Sequence, residues 1–159
     1  MLLCLRNNVY IWKSIFSREM DKILEENGFT LLDFPWNQCE LLRNDLDHFT
    51  EGGNKKFVEY LSNILNSLGK QKILILSDST LGYWNSTKKL HYDIICCCGV
   101  GYTTYPVNFR SLIWDMNNKY DIVLVIGGWN DKYSSLESVD KYVKKFVRTI
   151  SQKFTPLKI

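Results

Sequence analysis

Two runs of apolar residues constrain the fold of this 159-residue chain more than any other feature. The sequence Ile-Leu-Ile-Leu follows Lys72, and Asp121–Ile126 reads Asp-Ile-Val-Leu-Val-Ile. Strands with continuous apolar residues are buried on both faces, which is typical of parallel sheets covered by helices. Each run leads into a polar or glycine-rich turn, Ser77–Thr80 or Gly127–Asp131. We therefore expect a buried parallel sheet with polar turns at the carboxyl ends of its strands.

Segments with helical periodicity alternate with the strands. Apolar residues recur at helical spacing over 14–27, 51–68 and 136–154, and Gly28 and Gly69 stand where two of these helices should end. Three further strands are expected at Leu2–Leu5, Phe29–Asp33 and Tyr92–Cys98. The alternation predicts an α/β fold with three α/β/α layers and a mainly parallel sheet of about five strands. The length predicts a single domain over residues 1–159.

Charge and cysteine content exclude several classes of protein. The formal net charge is only +3 and the basic residues are dispersed, which argues against a nucleic-acid partner. No apolar stretch is long enough for a membrane span or a secretory signal, so we expect a cytoplasmic protein. The five cysteines form no Cys-x-x-Cys pair, so we expect no metal site. We interpret Cys96–Cys98 as small apolar residues that complete a buried strand, with a redox role as the alternative.

Three residues at the strand ends are candidates for acyl-transfer chemistry. Because ligands bind beyond the carboxyl ends of parallel strands, we expect Ser79, Gly101 and Asn130 to converge on one rim. Ser79 at a strand-to-helix turn is a candidate nucleophile. Asn130 and the backbone N–H of Gly101 are candidate donors to an oxyanion, since glycine has no Cβ to obstruct a close approach. Taken singly, each of the three is more often an ordinary turn residue.

The segment before the second helix contains a candidate base. His48 stands two residues ahead of Thr50, a plausible helix N-cap. Asp45 can fold back in a turn to accept the Nδ1 proton of His48, which leaves Nε2 as the base. Asp47 is a rival for this role, and a solvated turn is the alternative interpretation of the whole segment. The aromatic residues expected to line a substrate pocket, unless they belong to the core, are Tyr83, Trp84 and Trp129.

Four short blocks resemble the motifs of the SGNH (GDSL-type) hydrolases. Leu74–Leu81 is similar to the first block, usually Gly-Asp-Ser-Leu, with serine and threonine in place of the glycine and the leucine. Gly99–Thr104 is similar to the second block, in which Gly101 matches the oxyanion-hole glycine and Gly99 is the fallback. Gly128–Asp131 matches the third block, Gly-x-Asn-Asp, and Asp45–His48 resembles the fifth, Asp-x-x-His.

The resemblance implies a serine hydrolase of carboxylic esters, either an esterase, a lipase-like enzyme or an acetyl-esterase. Ser79 would be the nucleophile, His48 the base and Asp45 its orienting partner. The oxyanion hole would combine the N–H groups of Ser79 and Gly101 with the Asn130 amide. Neither a metal nor an organic cofactor is implied, and the partner would be a small-molecule ester or an acetylated carbohydrate. The alternative is a catalytically weak or inactive binding module for RNA, carbohydrate or protein.

The order of the blocks differs from the family's order. Residues 1–68 resemble the C-terminal half of the family's domain and residues 70–159 its N-terminal half. This predicts a circular permutation of an SGNH, flavodoxin-like fold, in which Leu2–Leu5 lie in the sheet close to Leu157–Ile159. We expect a monomer or a strand-exchanged dimer. The competing interpretation is a segment cut from tandem domains.

Overall fold

The computed structural model describes residues 1–6, 15–32, 49–79, 92–104, 120–131 and 133–154, with only the backbone at 2–6, 15–17 and 129. Helices and strands alternate along most of the described chain. The strands are β1 (Leu2–Arg6), β2 (Phe29–Leu32), β3 (Ile73–Ser77), β4 (Asp93–Cys96) and β5 (Ile122–Gly127). The helices are α1 (Ile15–Glu26), α2 (Glu51–Ser67) and α3 (Leu136–Lys153).

The described strands pair in the order β2-β1-β5-β3-β4, and every pairing is parallel. The predicted α/β class and its parallel sheet are therefore confirmed. The first residues of the chain join this sheet as predicted, since Leu2 is in register with Phe29 of β2 and with Val123 of β5. Their expected neighbours, Leu157–Ile159, lie outside the described residues.

The strands β3 and β5 are buried along their whole length, which explains their continuous apolar sequences. Side chains alternate between the two faces of a strand, so each of these strands supplies two cores. Leu74, Leu76 and Val125 cluster with residues of α1 and α3. Ile75 and Leu124 cluster with residues of α2. Each fully buried side chain of this size stabilises the fold by about 1.5–3 kcal/mol through the hydrophobic effect.

Local signals in the sequence set the helix ends. The Thr50 side chain accepts a hydrogen bond from the N–H of Gly53 at 3.0 Å, which confirms it as the N-cap of α2. Gly28 follows α1 with φ of 86°, a left-handed conformation that favours glycine. Only residues 68–72 separate α2 from β3, so α2 runs back along the sheet. Its first turn therefore lies at the carboxyl end of β3.

The expectation that all three adjacent cysteines complete a buried strand is wrong. The strand β4 ends at Cys96, and Cys96 and Cys98 are exposed while Cys97 is half-buried. The reason is the position of β4, which is the last strand in the order of described strands and pairs only with β3 among them. An apolar sequence pattern does not show whether a strand lies at the centre or at the edge of a sheet.

No helix in the part of the chain that the structure describes is both long enough and apolar enough to cross a membrane.

Candidate functional site

The carboxyl ends of three neighbouring strands form the rim at which the candidate residues stand. Ser77 at the end of β3 is in register with Cys96 of β4 and with Ile126 of β5. Two backbone hydrogen bonds extend this pairing, one from Asp78 N–H to the Ile126 carbonyl at 3.1 Å and one from Cys97 N–H to the Ser77 carbonyl at 2.9 Å. The turns that follow these three strands consequently start at the same height along the strand direction.

Ser79 lies where the sequence predicts it. The strand β3 ends at Ser77, and the backbone becomes helical at Ser79, whose side chain is half-buried. A nucleophile at such a turn presents its hydroxyl beyond the sheet, and its own N–H belongs to the first turn of a helix. The preceding Asp78 is only 1% exposed, so its side chain is buried at the rim.

Asn130 lies on a short 3-10 turn, Trp129–Asp131, that follows β5. Gly128 allows the chain to enter this turn, because its φ of 107° is a conformation that other residues rarely adopt. The Asn130 Nδ2 donates a hydrogen bond to the Val100 carbonyl at 3.0 Å. A side-chain amide carries two N–H donors, and among the described residues only the Val100 carbonyl accepts one of them, which leaves one for a second acceptor such as an oxyanion. This bond connects the turn after β5 with the turn after β4.

Asp131 strengthens the same connection, although the sequence argument gave it no role. Its carboxylate is fully buried and accepts hydrogen bonds from Tyr102 N–H at 2.6 Å, Thr103 N–H at 3.0 Å and the Thr103 hydroxyl at 2.9 Å. Desolvation by burial raises the pKa of Asp131, and the hydrogen bonds from Thr103 and Tyr102 oppose this effect. The sequence feature that could have identified Asp131 is its place as the last residue of the Gly-x-Asn-Asp block.

The turn Gly101–Thr104 has an internal hydrogen-bond pattern that bears on the proposed oxyanion hole. Thr104 N–H donates to the Gly101 carbonyl at 3.0 Å, which closes the turn. The Gly101 N–H donates to the Thr104 hydroxyl at 3.0 Å, and this hydroxyl donates to the Gly101 carbonyl at 3.1 Å. In this structure, the N–H predicted to meet an oxyanion is therefore already bound to a threonine oxygen.

The close approach expected at Gly101 is present, but the group that approaches is Asp131. A Cβ at Gly101 would lie 2.6 Å from both carboxylate oxygens of Asp131, which is closer than real Cβ contacts allow. The absence of a side chain at this position is thus required by a contact within the protein. The fallback donor is Gly99, which has φ of 73°. A Cβ at Gly99 would meet no atom of the described residues within 4 Å.

The two turns are joined directly above the strand that leads to Ser79. Because β3 lies between β4 and β5, the turns after those two strands start about 10 Å apart, twice the strand spacing. The bonds from Asn130 to Val100 and from Asp131 to Tyr102 and Thr103 bridge this gap.

No family model, curated protein or solved structure matches the chain.

The rest of the predicted site is described only in part. Asp45, Asp47 and His48 lie outside the described residues, as do His91 and two of the expected pocket residues, Tyr83 and Trp84. The side chain of Trp129 is likewise not described. What the structure does place is the neighbour of His48 in sequence, Phe49, which is 4% exposed and packs on Phe57 in the core beneath α2.

The position of α2 relates this segment to the rim. The first turn of α2 lies at the carboxyl end of β3, and the chain enters that turn through Phe49 and Thr50. The residues next to His48 in sequence therefore approach the end of the sheet at which Ser79 is found. The described residues bring together the turns of Ser79, Gly101 and Asn130, and they bring the entry to α2 to the same end.

Cys96, the last residue of β4, is a poor candidate for thiolate chemistry. Cys96 is exposed as a residue, but its sulfur is partly shielded from water. This desolvation raises the pKa of the Cys96 thiol to about 11, and the nearby Cys97, Cys98 and Asp78 make smaller contributions in the same direction. A thiol with such a pKa is protonated at neutral pH and is neither a good nucleophile nor a good metal ligand. Among the described residues, no group of three or more His, Cys, Asp or Glu side chains could hold a metal ion.

Proposed function

We propose that this chain is a serine hydrolase of carboxylic esters with an SGNH-type site. The observation that carries the proposal is that the turns of Ser79, Gly101 and Asn130 follow three adjacent parallel strands at one rim, where hydrogen bonds join the last two. A nucleophile at a strand-to-helix turn beside two fixed amide donors is the arrangement that acyl transfer requires.

The strand order supports the proposal of a permuted flavodoxin-like fold with three layers. If the strands are counted from β3, in the sequence β3, β4, β5, β1, β2, the observed order becomes 2-1-3-4-5. This is the doubly wound order of flavodoxin-like sheets. In such sheets ligands bind where the connections diverge, between the first and third strands. Those strands are β3 and β5 here, which lead to Ser79 and Asn130.

The proximity of Met1 and Phe154 supports the proposal of a permuted single domain over residues 1–159. The N-terminal ammonium group of Met1 donates a hydrogen bond to the Asp121 carbonyl at 2.8 Å. The ring of Phe154, directly after α3, contacts the ring of Tyr120 at a centroid distance of 5.1 Å. Both ends therefore reach the same two-residue segment at the start of β5. A permuted domain requires such proximity.

The proposed reaction assigns one role to each residue. The Ser79 hydroxyl attacks the ester carbonyl while Nε2 of His48 removes its proton, and Asp45 holds the imidazole through Nδ1. The Ser79 N–H, the Gly101 N–H and the second N–H of the Asn130 amide stabilise the oxyanion. His48 then donates its proton to the departing alcohol, and water hydrolyses the acyl-enzyme. We propose a small ester or an acetylated carbohydrate as the substrate, with Tyr83, Trp84 and Trp129 around it, in a cytoplasmic protein.

One observation favours a second candidate, a binding module without catalysis for carbohydrate, protein or RNA. The Gly101 N–H is bound to the Thr104 hydroxyl, so an oxyanion must displace that oxygen before it can use this donor. A binding module needs no oxyanion hole, so its function does not require the hydrogen bond between Gly101 and Thr104 to be broken.

Labelling with a fluorophosphonate probe separates the two candidates, because the probe reacts with an activated serine whatever the natural substrate. We expect the wild-type chain to be labelled and Ser79→Ala not to be. Ser67→Ala is the matched control, since Ser67 is an exposed serine at the C-terminal end of α2, away from the rim. This variant should be labelled like wild type. Thermal unfolding of each variant shows whether it is folded. A folded wild-type chain that takes no label would refute the hydrolase.

A further inference from the structure

Asp131 is a fully buried charged residue at the rim to which the proposed reaction gives no role. It is not held by its own turn alone. Its carboxylate accepts hydrogen bonds from backbone and side-chain donors that lie 28 and 29 positions away in the sequence. All three donors belong to the two residues that follow Gly101. Asp131 and its neighbour Asn130 belong to the same turn after β5, and the Asp131 carboxylate binds this turn to the turn after β4.

The backbone of Gly101 also lies against this carboxylate. A Cβ at Gly101 would be 2.6 Å from each carboxylate oxygen and 2.7 Å from Cγ. Asp131 therefore limits how closely Gly101 can approach, while its bonds to Tyr102 and Thr103 limit how far the turn can move away. Asp131 therefore restrains the turn in both directions.

The ring of Tyr102 fixes the same turn from below. It is fully buried and makes edge contacts with Phe29 at 6.1 Å and with Phe146 at 6.5 Å between ring centroids. The turn thus has an apolar anchor in the core and a polar anchor at the rim. The polar anchor, together with the hydrogen bond from Asn130 to the Val100 carbonyl, relates the candidate oxyanion donors Gly101 and Asn130 to each other.

We propose that Asp131 is a positioning residue, which holds the Gly101–Thr104 turn against the Asn130 turn and so sets the distance between the two oxyanion donors. The inference rests on the proposed function, since it assigns this contact a purpose in that site. Because its carboxylate is fully buried, Asp131 is assigned no contact with substrate or reacting atoms. Hydrogen bonds to a carboxylate are shorter and stronger than those between neutral groups, which suits a contact that must hold backbone in a fixed position.

The first test is Asp131→Asn, which keeps the shape of the side chain but turns one acceptor into an NH₂ group. That group meets an N–H donor of Tyr102 or Thr103, so the turn must shift. We expect the fluorophosphonate labelling rate to fall by at least about tenfold, by comparison with losses at oxyanion donors. For p-nitrophenyl acetate, kcat should fall by a similar factor while KM changes by less than about twofold. Asp140→Asn, which removes a carboxylate bound to Lys144 on α3, should leave both rates unchanged.

A double-mutant cycle tests the contact with Gly101. Gly101→Ala alone should slow labelling, because the added methyl group cannot coexist with the carboxylate. In the Asp131→Ala background the methyl group has room, so the double variant should label at about the rate of Asp131→Ala. All rates are measured well below the melting midpoint of each variant, so that loss of folded protein does not contribute.

Two results would overturn the inference even if the wild-type chain is an active hydrolase. One is a folded Asp131→Asn variant with wild-type labelling and kcat. The other is a cycle in which the effects of the two substitutions multiply independently. If the wild-type chain takes no label, the proposed function fails and the positioning role fails with it, and NMR then decides whether the contact itself exists. The amide resonances of Tyr102 and Thr103 should then move in Asp131→Asn and stay in place in Asp140→Asn; unmoved resonances refute the contact.

Discussion

Removal of the Ser77 hydroxyl should stabilise the protein. Ser77 is 0% exposed, and its Oγ has no hydrogen-bond partner within the described part of the chain. A buried hydroxyl without a partner costs about 1–3 kcal/mol relative to water. Ser77→Ala abolishes that cost and gives up only the contacts of one oxygen atom. We expect the free energy of unfolding to rise by about 1 kcal/mol, which corresponds to about 2–4 °C in the melting temperature of a chain of this size.

Urea unfolding is the direct assay for Ser77→Ala, since a higher midpoint at an unchanged slope reports stability alone. Thr103→Val is the matched contrast, because it removes a hydroxyl that does have a partner, the Asp131 carboxylate at 2.9 Å. That variant should lose about 1–2 kcal/mol. If Ser77→Ala is destabilised as well, then the Ser77 hydroxyl forms a hydrogen bond within the molecule and the reasoning is wrong.

Three further predictions concern the rim and the chain order. Thr104→Val frees the Gly101 N–H and should raise the fluorophosphonate labelling rate about fivefold, the equivalent of one neutral hydrogen bond of about 1 kcal/mol; a slower rate would exclude this N–H as an oxyanion donor. The raised pKa of Asp131 means that the folded state binds more protons, so its contribution to stability is greatest in acid and declines as pH rises from about 4 through the raised pKa. The stability difference between wild type and Asp131→Asn should decline across that range, and a difference that grows with pH would contradict the assigned direction. A chain whose two ends are joined and which is opened between Gly69 and Lys70, both exposed, should fold to the same sheet by circular dichroism and urea unfolding; failure to fold would count against a permuted domain.

Features set by neighbouring residues in the sequence were predicted well. The helix α2 is a simple case, because its apolar spacing and the Thr50 cap are both local signals. The turn at Gly28 was likewise evident from one glycine after a helical pattern, and the strands β3 and β5 from their apolar runs.

Several features that depend on distant residues were not predicted. The roles of Asp131 and Gly101 depend on one contact between segments about 30 positions apart, and no local pattern describes it. The cysteines of β4 have an apolar neighbourhood in sequence but lie on the last described strand of the sheet, so their burial was predicted wrongly. Strand order also escapes local patterns, because each apolar strand can pair with any other.

The position of β1 between β2 and β5 has a consequence for how the protein is made. Among the described strands, β2 is joined to the others only through β1, and β1 pairs with β5, at a sequence separation of about 120 residues. Because β1 is synthesised long before β5, the edge of β1 that pairs with β5 has no partner until the chain between them has been made. Contacts at such long separation form slowly, and unpaired strand edges in partly folded chains promote aggregation. Biosynthesis of this protein should therefore depend on chaperones that cover its first residues until β5 emerges.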